Sequence, residues 1–121
     1  FDVLIFQDVL EHCPAPQLEI AQYAKHLRPG GILFIAVPWC DSNRAQLLKT
    51  EWEMVRPLGH LHYFSTKSIE LLLNACNFTT IHATPVSVFG NRSIEVPGFS
   101  KSVLLTEDSP DQIYVAARFG G

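Results

Sequence analysis

Asp8, Glu11 and His12 form a D-x-x-E-H cluster near the start of the chain, and His60 and His62 follow as an H-x-H pair. One turn of helix would bring Asp8 and Glu11 together with His12 alongside. Two carboxylates and an imidazole could hold Mg²⁺ or a similar cation, with His60 or His62 as a further ligand. Such an ion would polarise a substrate hydroxyl and lower its pKa. Alternatively, the two carboxylates complement the N-terminus of the next helix, and the pattern alone favours no metal. If their segment is extended, His60 and His62 point the same way, to bind a metal or act as general base. The alternative has one ring packed and the other bonded to backbone groups, anchoring the segment ahead of a helix at Thr66. Trp39, Trp52 and Tyr63 could line an apolar pocket or fill the core.

The elements that must position these groups start with residues 1–6, FDVLIF, five of which are large and apolar. That run predicts a strand buried on both faces, as in a parallel sheet. The polar switch at Gln7 and Asp8 then marks its carboxyl end, where open α/β sheets bind ligands. Pro14 and Pro16 suit a helix start. Leu18, Ala21, Ala24 and Leu27 predict one apolar face over residues 17–27, ended by Pro29-Gly30-Gly31. A second buried strand follows over residues 32–37, closed by Pro38. The unit is βαβ, with parallel strands and a right-handed crossover.

Asp41 or Ser42 could cap a short helix over residues 44–52, with Leu47, Leu48 and Trp52 on one side. The turn Arg56-Pro57-Leu58-Gly59 leads to residues 60–64. Ser65 or Thr66 caps the next helix, with Ile69, Leu72, Leu73 and Cys76 inward and Asn77 at its end. Residues 78–89 read as a strand that bends at Pro85. Residues 91–112, with Pro97, Gly98 and Pro110, read as a long connection holding a brief paired segment at Leu104-Leu105. Residues 113–119 form the last strand, and Gly120-Gly121 is expected to fray.

The 121 residues suffice for one small domain with a core. A 47% hydrophobic, 17% charged composition excludes disorder, and a net charge of −3 gives no case for nucleic acid. No apolar run is long enough to span a membrane. Cys13, Cys40 and Cys76 are three widely spaced thiols, expected to be reduced in a cytoplasmic protein. His26 and His82 suggest no chemistry.

Three segments, FDVLIFQDVLEHCPAP, LRPGGILFIAVP and GHLHYFSTKSIELLLNACNF, stand in this order over roughly the first two-thirds of the chain. Together they resemble the C-terminal half of a class I S-adenosylmethionine-dependent methyltransferase. The resemblance implies a partial Rossmann-like, doubly wound α/β sheet. Its strands would be the fourth and fifth of a seven-stranded whole plus the final antiparallel pair, with flanking helices. It implies that backbone groups around Gln7 and Asp8 meet the methionine part of the cofactor, with Val9 and Leu10 packed nearby. Some metal-assisted O-methyltransferases of the class carry E-x-x-E-H at this place, where this chain has the shorter Asp8. Nothing resembles the glycine-rich loop that wraps the cofactor, so the N-terminal half of the domain is expected to be absent. The implied activity is methyl transfer to an O, N or C nucleophile on a small molecule or other acceptor, in the intact protein. The fragment alone is expected to be inactive, and to pair its open edge at residues 1–6 with a missing segment or a second copy. A different nucleotide-dependent oxidoreductase, or a non-catalytic half-fold kept for assembly, stays as an alternative.

Overall fold

A βαβ unit opens the computed structural model: β1 (Val3–Gln7), α1 (Pro16–Ala24) and β2 (Ile32–Pro38). The strands pair in parallel, from Val3 opposite Ile32 to Gln7 opposite Ala36. Then come α2 (Asn43–Leu48), α3 (Thr66–Ala75), β3 (Phe78–Val86), β4 (Arg92–Glu95), β5 (Ser102–Leu105) and β6 (Gln112–Phe119). The structure describes residues 1–52, 54–56, 59–87, 92–95, 102–105 and 110–121, with backbone alone for 92–95 and 102–105. Pro57, Leu58, Pro97 and Gly98, named above, lie outside the described residues, as do residues 88–89 of the expected strand.

The main sheet has the order β1-β2-β6-β3, and β6 runs antiparallel to both of its neighbours. The fold is thus mixed α/β, with the expected parallel pair and the antiparallel pair after it. Alternate residues of each strand face one side of a sheet. Phe6, Leu33, Ile35, Val37, Ile113, Val115 and Ala117 accordingly share one core with Ile20 and Ala24 of α1 and Ile69 and Leu73 of α3.

Several expectations need correcting. Val3 and Ile5 are 53% and 60% exposed, so β1 is buried on one face only. They alternate with core-facing Leu4 and Phe6 and lie on the side of the sheet away from α1 and α3. Helix α1 stops at Ala24, and its inward face is Ile20 and Ala24, continued by Leu27 past the helix end, while Leu18 is 70% exposed. The reason is angular: a three-residue step falls short of a full turn by about 60°. Leu18 and Leu27 therefore point to opposite sides, while Ile20, Ala24 and Leu27 stay within about 60°.

Strand β3 does not bend off at Pro85 but continues to Val86, with Pro85 opposite Ile113. It lies at the sheet edge, where the missing N–H of proline interrupts no ladder. The region read as a long connection contains an antiparallel hairpin, β4 with β5, in which Leu104 and Leu105 pair with Ser93 and Arg92. The expected helix over residues 44–52 is α2 followed by a 3₁₀ turn (Lys49–Glu51). Leu48, Trp52 and Met54 form a second, small core there.

The caps fall as the side chains dictate. Ser42 Oγ accepts from Ala45 N–H, and Ser65 and Ser68 form a reciprocal box at the start of α3. Asp41 caps nothing on α2; its carboxylate takes the Thr66 N–H at 2.9 Å and ties the α2 segment to α3. Asn77 ends α3 in the left-handed region, φ +66°. Its amide donates to the Gly121 carbonyl, and Gly120 N–H donates to its carbonyl. Gly120 and Gly121 are therefore held, not frayed.

Gly31 is required by close approach. A Cβ there would lie 2.7 Å from Leu27 Cγ and 2.9 Å from the Arg28 carbonyl oxygen. Leu27 is buried and cannot swing away. Gly31→Ala is expected to cost about 1–3 kcal/mol through overpacking. Urea denaturation checks this as a lower midpoint at unchanged slope.

Candidate functional site

The carboxyl ends of β1 and β2 and the amino end of β6 meet at one edge of the sheet. There a cavity of about 320 Å³ is lined by Asp8, Glu11, His12, Arg56, His60 and Gln112, among others. Its floor is set by the turn after β1. Asp8 has φ +56°, a left-handed backbone that short polar side chains tolerate best. Two contacts hold it so: its N–H donates to the Ala36 carbonyl, and its carboxylate accepts from Gln112 Nε2 at 3.0 Å. A 3₁₀ turn (Leu10–His12) then swings Glu11 and His12 toward the cavity.

Glu11 is 1% exposed, and its Oε1 has no hydrogen-bond partner among the described residues. Burial pushes its carboxyl above the ordinary carboxylate range, with nearby Asp8 adding to the rise. Its own backbone amide, His12 and His60 oppose the shift without cancelling it. The main-chain carbonyl of Glu11 accepts from Leu61 and His62 N–H, and this docks the H-x-H segment against the turn.

The two docked imidazoles then part. His60 is 7% exposed, its Nδ1 lies 2.6 Å from the Met54 carbonyl, and its ring stacks edge-on to His12, centroids 4.7 Å apart. His12 Nδ1 lies 2.6 Å from the Gly59 carbonyl. A carbonyl only accepts, so in both rings Nδ1 carries the hydrogen and Nε2 keeps its lone pair. One ligand atom each from Glu11, His12 and His60 lie within 4.8 Å of one another. His62 points elsewhere, its Nε2 3.4 Å from the Pro14 carbonyl and its ring beside Phe64.

Not every residue singled out from sequence reaches the cavity. Asp8 lines it but is held by Gln112, apart from the Glu11, His12 and His60 group. Gln7 is exposed at the end of β1, and Val9 is 36% exposed. The Leu10 side chain is wholly buried in the core, so it cannot touch a ligand. Trp39 donates to Thr66 Oγ1, Trp52 belongs to the second core, and Tyr63 Oη accepts from Arg56 N–H. Gln112 and Arg56 gave no signal in the sequence, since neither lies in a spaced motif. Arg44 and Asp111, the latter just before Gln112, form a fully buried ion pair, Nε to Oδ1 2.7 Å. No helix among the described residues is long and apolar enough to cross a membrane.

The fold has counterparts among known proteins. The chain covers 55% of a SAM-dependent methyltransferase of Thermotoga maritima at TM-score 0.62 and 14% identity, over 98% of its own length. For a SAM-dependent methyltransferase of Methanosarcina mazei the values are 59%, 0.56 and 16%, again over 98%. For a chain of the complex between the Haloferax volcanii Trm112 methyltransferase activator and a methyltransferase they are 54%, 0.66 and 11%, over 99%. The chain thus spans somewhat more than half the length of these structures. No curated protein matches the sequence significantly. The model of the methyltransferase domain family matches residues 1–83, and the chain belongs to that family.

Proposed function

We propose that residues 1–121 are the later half of a class I methyltransferase domain, and that the intact protein transfers a methyl group from S-adenosylmethionine to an O, N or C nucleophile. The observation that carries this reading is the left-handed turn at Asp8, held by Gln112 at the carboxyl end of β1 and open to the cavity. The turn suits one end of the cofactor, the amino-acid part, which main-chain groups of Gln7 and Asp8 would meet. When bound, the cofactor supplies an electrophilic methyl group on a sulfonium.

The work of these residues is mostly positional. Two reactants held in contact gain rate without a strong acid or base. The cavity beside the turn seats the acceptor. His12 and His60 line the cavity, and with Nδ1 on backbone carbonyls their lone pairs fall on Nε2, able to take a proton from an O–H or N–H. The exposed edge of β1 is where a covering strand would add, from a further segment or a second copy.

Calorimetry on this chain alone is expected to show no cofactor binding at micromolar concentrations. Protein that includes the rest of the domain is expected to bind it and to transfer labelled methyl to a small-molecule acceptor panel. Micromolar binding by residues 1–121 alone would overturn the half-domain reading. Absence of binding by the longer protein would overturn the activity.

A further inference from the structure

We infer that Glu11, His12 and His60 form a binding site for a borderline divalent ion of the zinc or cobalt type, with Asp8 outside the ligand set. This differs from the arrangement expected from sequence, in which Asp8 and Glu11 would share a Mg²⁺ ion. Asp8 accepts from Gln112, while Glu11 groups with the two histidines.

Four features of the geometry point the same way. The donor atoms of the three residues lie within 4.8 Å of one another on one wall of the cavity. Both histidines have Nδ1 on a backbone carbonyl, which sets the tautomer with its lone pair on Nε2, the nitrogen a metal would take. Glu11 is 1% exposed, and Oε1 has no partner among the described residues. A buried polar atom without a bond is costly, and a cation would satisfy it. Finally, the cavity leaves room for a fourth ligand, water or an acceptor oxygen.

The donor set decides the kind of ion. Mg²⁺ wants near-octahedral oxygen ligands and keeps much of its water. Two imidazoles with one carboxylate suit zinc and its neighbours, with metal–ligand bonds of about 2.0–2.2 Å. In tetrahedral arrangement such donors stand roughly 3.4 Å apart, so the triangle, now within 4.8 Å, has to close by up to about 1.4 Å. The partly exposed His12 can supply that movement by side-chain rotation. Three protein ligands plus one open position is the arrangement of catalytic metal sites.

Cobalt(II) tests the site without any methyl transfer, so its failure is separable from failure of the methyltransferase reading. Titrating the metal-free chain with Co²⁺ is expected to give visible bands of four- or five-coordinate cobalt. Zn²⁺ should displace them at equimolar amounts, and millimolar Mg²⁺ should not. Glu11→Gln, His12→Ala and His60→Ala should each weaken binding at least tenfold, with folding confirmed by circular dichroism. Asp8→Asn and His62→Ala should shift it less than twofold. Where His60→Ala fails to fold, His12→Ala at the exposed ring carries the test. Six-coordinate cobalt spectra, displacement by Mg²⁺, or loss in Asp8→Asn equal to that in Glu11→Gln would overturn the proposal. So would His62→Ala weakening binding as much as His12→Ala.

Discussion

Asp111→Leu is expected to lower folding stability by about 3–5 kcal/mol, the usual cost of leaving one member of a buried ion pair behind. Arg44 on α2 and Asp111, just before β6, both have 0% side-chain exposure and lie 2.7 Å apart. The main chain of Asp111 also accepts from Trp39 N–H and donates to the Val86 carbonyl, bonds that a leucine would keep. The loss therefore falls on the side chain. Domains are stable by only about 5–15 kcal/mol, so the single variant should be close to unfolding at body temperature. Adding Arg44→Met should recover most of the loss, because no half of the ion pair then remains buried alone. Urea denaturation of the single and double variants measures both terms. A single variant within about 1 kcal/mol of the parent would mean that the interior solvates a lone guanidinium.

Phe78→Ala is the second large effect, at about 3–5 kcal/mol. Phe78 is 2% exposed, opens β3 directly after the left-handed turn at Asn77, and stacks on Phe119 with centroids 4.8 Å apart. The two residues are register partners, so the ring pair clamps the corner between α3 and the sheet. Truncation removes the stacking and leaves a cavity that the paired strand β6 and helix α3 cannot fill. A domain of this size loses roughly 4 °C per kcal/mol, so melting should fall by about 12–20 °C. Phe78→Leu should recover more than half of that. Equal losses for the two variants would place the energy in the aromatic pair and not in the volume.

Local signals in the sequence were sufficient for the parts of the fold that depend on local physics. The apolar runs mark β1 and β2, the pairs Asp41-Ser42 and Ser65-Thr66 mark helix starts, of which Ser42 and Ser65 are the caps, and Asn77 marks an end. Each is settled within a few residues. Equal three-residue spacing does not define one face of α1: Ile20, and not Leu18, keeps phase with Ala24. The interior location of the Arg44–Asp111 pair had no sequence signal, since either residue alone reads as surface. Gln112 meets Asp8 across 104 positions, a contact that only the return of β6 creates. In the candidate site, Glu11, His12 and His60 were visible as residue types. Their grouping, with Asp8 drawn off, depends on that same return strand and on two backbone carbonyls that no side-chain pattern encodes.

The sheet order carries a consequence for biosynthesis. Strand β6 emerges from the ribosome after every other strand, yet it takes the slot between β2 and β3. Until it arrives, those two have no ladder on their facing sides, and Asp8 lacks Gln112. Nascent chains stalled before Gln112 should remain protease-sensitive and dependent on chaperones. Such late, long-range pairing is slow by nature.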